Sequence, residues 1–329
     1  GNFYNSGRYF SSLEDVAETA KRVANSSSYD HIVFYAHDSF SSPKACAQKI
    51  AAMQPVFKAN RIYAYHFMYS SGFVDDVKSL LADRSEASEA RLGSGHELSD
   101  RLVETLLGRS GRALWREMKY GAESGFTPKG DGAKVANTFL QYLSESSQGL
   151  RAKKIHLAGH SAGSLLLGHL LNSLVEHNAK PQIATVSLMA PTLTLDTYAA
   201  MYRPKMSNVD DMTVYNLSDQ LELEDNVAGI YGKSILHLIS RVLEEGCSDG
   251  TVAPLLGLSR DVEEENIENI DDVDFVISQG DAQRNKNSTS RRHDDFERDP
   301  ATMNHILRRI LGQRPTIRFR TDHFGSFSD

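Results

Sequence analysis

The stretch "KKIHLAGHSAGSLLLGHLL", Lys153 to Leu171, joins a short apolar run to a leucine-rich one through a serine set between small residues. Its first half, "KIHLAGH", has the length and composition of a buried strand. In the continuation, Leu166, Leu170 and Leu174, with Leu167 and Leu171, recur at helical spacing, as in a helix laid on a sheet. Between the halves "GHSAG", Gly159 to Gly163, is a G-x-S-x-G pattern in a strand-to-helix setting. On such a turn the serine is raised in a strained backbone conformation. The residues two before and two after it must be small so that strand and helix can pass closely. Ser161 is thereby presented at the sheet's edge, above the positive end of the following helix. The same letters in an arbitrary glycine-rich turn would carry little information, and their position supplies the specificity. His160, inside the pattern, reads as a polar neighbour of the turn rather than as a base.

Working outward, further β-rich runs appear: "HIVFYAHD" from His31, "RIYAYHFMYS" from Arg61, "TVSLMAP" from Thr185, "MTVYNLSD" from Met212 and "VDFVIS" from Val273. Helical patterns fall between them, over Leu13 to Ala24, Pro43 to Lys58, Lys134 to Ser144 and Ala162 to His177. Strands alternating with helices predict an α/β fold, a mostly parallel sheet with helices on both faces. A parallel sheet places its ligand site beyond the carboxyl ends of its strands. Those ends carry His37, Asp38, Ser161, Pro191 and Asp219. Two stretches break the rhythm, 72–131 with Trp115 and 220–272. Both are expected to be insertions at that edge, the first a helical lid or cap. The aromatic segments "FMYSSGF" and "ALWREMKYGAESGF" fit either a pocket wall or core packing, with core packing the commoner use.

The whole chain, 1–329, is expected to be one domain, with 40% hydrophobic residues to build its core. Its 36 basic and 43 acidic residues give a net charge of -7, and no run of Lys or Arg offers a footprint for nucleic acid. No stretch is apolar for long enough to cross a bilayer, and the N-terminus lacks the pattern of a signal peptide. A soluble, cytoplasmic protein is expected, with secretion left open because the sequence opens on Gly1. Cys46 and Cys247 fit a single disulfide or two buried thiols. The acidic piece "DVEEENIENIDDVD", from Asp261, reads as a solvated face rather than a metal site, since it lacks the spacing of a calcium loop.

By its order of elements and by "GHSAG", the chain from His31 to about Gly312 resembles the α/β-hydrolase family of serine hydrolases, of esterase or lipase type. The resemblance implies an α/β-hydrolase fold and a Ser-His-Asp triad in the chain order nucleophile, acid, histidine. Ser161 is then the nucleophile. The acid belongs two strands after the nucleophile's strand, which gives Asp219, with Glu222, Glu224 and above all Asp225 close behind. Of the twelve histidines, only His237, His293, His305 and His323 follow. His237 and His305 lie in helical patterns. His293 falls in the loop after the sixth run, where the family's base belongs, and His323 is its competitor. The oxyanion hole is expected from the backbone N–H of Ala162 and from the loop after "HIVFYAHD", at Asp38 or Ser39. There the family often has His-Gly, and Asp38 departs from that pattern. The implied reaction is cleavage of a small-molecule or lipid-like carboxylic ester through an acyl-enzyme, with no cofactor and no metal. An amidase or peptidase on the same scaffold, or a non-catalytic binding protein, would share the fold.

Overall fold

Alternate residues of the first strand, β1 (His31–Ala36), point to opposite sides, and both sides are covered. Phe34 meets Phe139 edge-on at 5.3 Å on one side. The Tyr35 hydroxyl lies 4.0 Å from Met303 Sδ on the other. That double coverage is why "IVFYA" is apolar throughout rather than alternating, as central strands of parallel sheets are. In the computed structural model the described residues are 9–38, 42–68, 96–150, 152–227, 231–247, 251–267 and 272–324, with Asn2, Asp76, Ser79 and Gly229.

The remaining strands are β2 (Ile62–Phe67), β3 (Lys154–His160), β4 (Ile183–Met189), β5 (Met212–Leu217) and β6 (Asp274–Ser278). All pairs are parallel, and the spatial order is β2-β1-β3-β4-β5-β6. The chain starts at β1, steps outward to β2, and then returns to the other side of β1. Crossovers therefore diverge between β1 and β3, and a crevice opens there beyond the strands' carboxyl ends. Ser161 at the end of β3 and Asp38 at the end of β1 face this switch point. The six expected strands and the four expected helices all form, with ends shifted by a few residues.

The helices show why they start where they do. Ser42 Oγ accepts the backbone N–H of Ala45 at 3.2 Å, and Pro43 occupies the first turn, so the helix Pro43–Ala59 begins there. Asp299 accepts from the N–H groups of Ala301 and Thr302 and so caps the helix Pro300–Leu311, which stops at Gly312 in the left-handed conformation. No helix among the described residues is long and apolar enough to cross a membrane.

Of the stretch 72–131, most of 72–95 lies outside the described residues, so the expected lid is not described there. Its later part forms the long helix His96–Ser124, which packs on Ile239–Leu243 of the stretch 220–272. Trp115 is fully buried in that contact, and its indole N–H donates to Glu244 Oε1 at 2.6 Å. Trp115 is core packing, as such residues usually are. Both cysteines are buried free thiols, and burial pushes Cys46 up to about 12. Of the acidic run, Glu263, Glu264 and Glu265 are exposed, whereas Asp261 is buried and accepts the N–H of Leu255 at 2.8 Å; residues 268–271 lie outside the described residues.

The tail beyond Gly312 is tied to the body by two asparagines, of which Asn304 donates to the Phe319 carbonyl at 2.8 Å and accepts the Phe319 N–H at 2.9 Å. Asn60, 4% exposed, donates to the carbonyls of Val56 (2.8 Å) and Ile317 (2.7 Å) and accepts the N–H of Thr316 at 2.7 Å. Phe319 and Phe324 are buried behind this clasp. Replacing Asn60 with Ala should lower unfolding free energy by about 2 kcal/mol, because buried backbone groups lose their partners. Amide hydrogen exchange should accelerate first at Thr316 to Phe319; uniform acceleration would show that the tail is held in some other way.

Candidate active site

The turn after β3 is built on contacts no side chain could share. Ser161 has φ 53°, in the left-handed region that non-glycine residues avoid. Its N–H donates to Met189 O on β4 at 2.8 Å, and its carbonyl accepts the Ser164 hydroxyl at 2.6 Å. A Cβ on Gly159 would stand 2.6 Å from Leu167 Cδ1, and one on Gly163 only 2.3 Å from the carbonyl oxygen of Ala36 in β1. The strain at Ser161 is thus locked in by packing on both sides.

His293 meets the serine from a loop between β6 and the last long helix. Its Nε2 lies 2.8 Å from Ser161 Oγ, and both residues are at most 2% exposed. The loop is fixed by carboxylates. Asp295 accepts the N–H groups of Arg291 and Arg292, and Asp299 holds Thr289 as well as the helix start. The Asp225 carboxylate accepts the backbone N–H of His293 at 2.9 Å and that of Asn226 at 2.8 Å. Burial raises the Asp225 carboxyl, and these two N–H groups oppose it in part. Burial first, and then the neighbouring charge of His160, hold His293 well below the ordinary imidazole range. A neutral His293 can accept the serine's proton.

The structure brings together Ser161, His293 and Asp225 but leaves Asp219 elsewhere. Asp219 opens the short helix Asp219–Glu224, its side chain 44% exposed and 4.0 Å from Arg260. The loop runs on past the strand end for one more helical turn before a carboxylate meets the base's loop. The other histidines have different partners. His323 sits in the tail helix, where its Nδ1 accepts the N–H of Arg320 at 3.3 Å; His305 meets the Tyr215 hydroxyl at 2.8 Å, and His237 is buried in a short helix. Ala162, directly after Ser161, is buried. Ser39 lies outside the described residues.

Asp38 behaves differently from a glycine substitute. Its carboxylate pairs with Lys49 Nζ at 2.9 Å, and Lys49 also reaches Glu297 Oε2 at 2.6 Å. Glu297 Oε1 accepts from His37 Nδ1 at 2.7 Å, and His37 Nε2 lies 3.0 Å from His66 Nδ1. Burial alone would raise Asp38, but Lys49 and then His160 draw it far below the usual carboxylate range. With its carboxylate engaged in this way, Asp38 leaves its backbone as the part to consider for an oxyanion. Lys49 and Glu297 escape a search for triads. The signal for Lys49 was its place on an apolar stripe, since Cys46, Lys49, Met53 and Val56 share the buried face of their helix.

Residues 131–225 match the model of a family described as an alpha/beta hydrolase of unknown function. The match takes in Ser161, Asp219 and Asp225 and ends before His293. No curated protein matches the chain.

Gly163 offers the sharpest test of the turn. Gly163→Ala should destabilise the protein by about 3 kcal/mol or more, because the methyl meets rigid backbone rather than a flexible side chain. A denaturation midpoint equal to that of the parent would mean that the turn and β1 are not in the close contact described.

Proposed function

From the α/β-hydrolase fold, and from the match of residues 131–225 to the model of an alpha/beta hydrolase family, we propose that the chain is a serine hydrolase of carboxylic esters. One observation carries the reading: a strained, buried serine whose hydroxyl lies 2.8 Å from an imidazole nitrogen. A serine hydroxyl is a weak nucleophile until a base accepts its proton, and that pairing is the minimum machinery for acyl transfer.

Ser161 Oγ attacks the ester carbonyl carbon while its proton passes to His293 Nε2. The carbonyl π electrons move to oxygen, and the oxyanion is held by the backbone N–H groups of Ala162 and Asp38. Collapse breaks the bond to the alkoxide, which leaves with the proton from His293. Water then repeats the sequence on the acyl-enzyme, and His293 returns its proton to Ser161. Asp225 takes the part of the acid in preference to Asp219. It grips the residue that carries the imidazole, whereas Asp219 is exposed beside Arg260. The substrate is a small-molecule or lipid-like ester. A cavity of about 560 Å³ lined by Arg101, Glu104, Arg112 and Arg241 includes neither Ser161 nor His293, and we do not assign the acyl chain to it.

Hydrolysis of p-nitrophenyl esters from acetate to palmitate tests this. Ser161→Ala should lower kcat by about 10⁴-fold or more, and Asp225→Asn, which weakens the hold on the His293 backbone, by about 10²-fold, while Asp219→Asn stays within a few-fold of the parent. Loss in Asp219→Asn with Asp225→Asn unaffected would reverse the choice of acid. A folded protein inactive on every ester would point to an amide substrate or to a binding protein.

A further inference from the structure

Beneath the Ser161 turn lies a buried set of charges that the proposed reaction does not use. Asp38, Lys49, His160 and Glu297 are each at most 2% exposed. Asp38, His160 and Glu297 offer ligand-type atoms within 4.8 Å of one another, a shape that would suit a divalent cation. The ammonium of Lys49 already sits between the carboxylates, at 2.9 Å from Asp38 and 2.6 Å from Glu297. One ammonium faces two buried carboxylates; Glu297 also accepts from His37 at 2.7 Å, so Asp38 and the Oε2 side of Glu297 are where further positive charge counts most.

His160 is placed to supply that charge. Its Nε2 lies 2.8 Å from the backbone carbonyl oxygen of His293, an acceptor only, so Nε2 carries a proton. Its Nδ1 stands 3.5 Å from Asp38 Oδ2 and 3.5 Å from Glu297 Oε2, at ion-pair distance from both. In a neutral ring that nitrogen would turn a lone pair towards two carboxylates. Nε2 donates to a carbonyl, and Nδ1 stands 3.5 Å from two carboxylates while hydrogen-bonded to neither, so it is charge rather than hydrogen bonding that favours an imidazolium.

We propose that His160 is a buried imidazolium and a positioning residue for the base: it holds the His293 carbonyl, and its charge keeps the His293 ring unprotonated. The proposal rests on the reading of His293 as the base. The His160 and His293 rings lie 5.1 Å apart, close enough for one charge to oppose another. Among the described residues, the groups facing His160 are Asp38 from the end of β1, Lys49 from the helix Pro43–Ala59, and His293 and Glu297 from the base's loop. Phe296 covers one side at 6.1 Å, and the exposed Asp294 adds a negative charge at the periphery. Burial would lower His160, but the Asp38 and Glu297 carboxylates prevail and raise it to about 9. The same residue thus seats the base's loop on the nucleophile turn and adds to burial in keeping the base neutral.

The test reads protonation directly. In ¹⁵N spectra of the histidine-labelled, unmodified protein, both ring nitrogens of His160 should show protonated-type shifts from pH 6 to 8. One pyridine-type nitrogen there would overturn the proposal, whether or not any variant folds. In His160→Gln, verified as folded, the pKa of His293 read from the same spectra should rise by about one unit. The acid limb of kcat/KM on an ester should move up with it, a shift that loss of packing alone would not cause. An unchanged His293 pKa would equally overturn the proposal. A protein that cleaves no ester would defeat the hydrolase reading and still leave this one to be decided by the spectra.

Discussion

The closeness of the Ser161 turn to β1 governs the rest of the site. A methyl on Gly163 would sit 2.3 Å from the carbonyl of Ala36, so the start of the helix Gly163–Glu176 is pressed against the first strand. That pressure forces Ser161 to φ 53° and turns its side chain out of the sheet towards the loop that carries His293. It also brings the end of β1, with His37 and Asp38, directly under the turn. A looser turn would relax the serine and separate the two strand ends between which the switch point opens.

What lies under the turn is polar rather than apolar, and the balance of charge makes that tolerable. Ions taken out of water lose several kcal/mol each and regain it only with close partners. Here Lys49 meets two carboxylates, and Glu297 also accepts from His37 at 2.7 Å. The partners come from distant parts of the chain: β1, the helix after it, the nucleophile turn and the loop after β6. The cluster therefore ties β3 to the His293 loop through charge, while Asp225 ties the same loop from the other side through the N–H of His293. This is specificity of position rather than bulk stability, since an apolar filling of similar volume would hold the core as well.

Much of this was legible from residues alone, for physical reasons. Central parallel strands are buried on both faces, so "IVFYA" stands out as a continuous apolar run, and "GHSAG" between a strand and a helix marks the turn that carries Ser161. His293 was preferred to His323 by its place after the sixth strand, and it is the histidine that meets Ser161. The acid was harder. Counting strands leads to Asp219, but a strand count does not say how far a loop travels before it turns back, and here the carboxylate that meets the His293 backbone is Asp225. Lys49 showed only as a lysine on an apolar stripe, and Glu297 was hidden in the acidic "HDDFERD", where nothing distinguishes a buried carboxylate from solvated ones. Pairings between residues some 250 positions apart leave no periodicity to read.

The central claim is that Ser161 is a nucleophile made reactive by His293. Labelling with a fluorophosphonate probe, followed by peptide mapping, tests it without knowledge of the natural ester. The account predicts a single phosphonylated residue, Ser161, with labelling abolished in His293→Ala. A folded protein that takes up no probe, or one labelled at the same rate without His293, would contradict it.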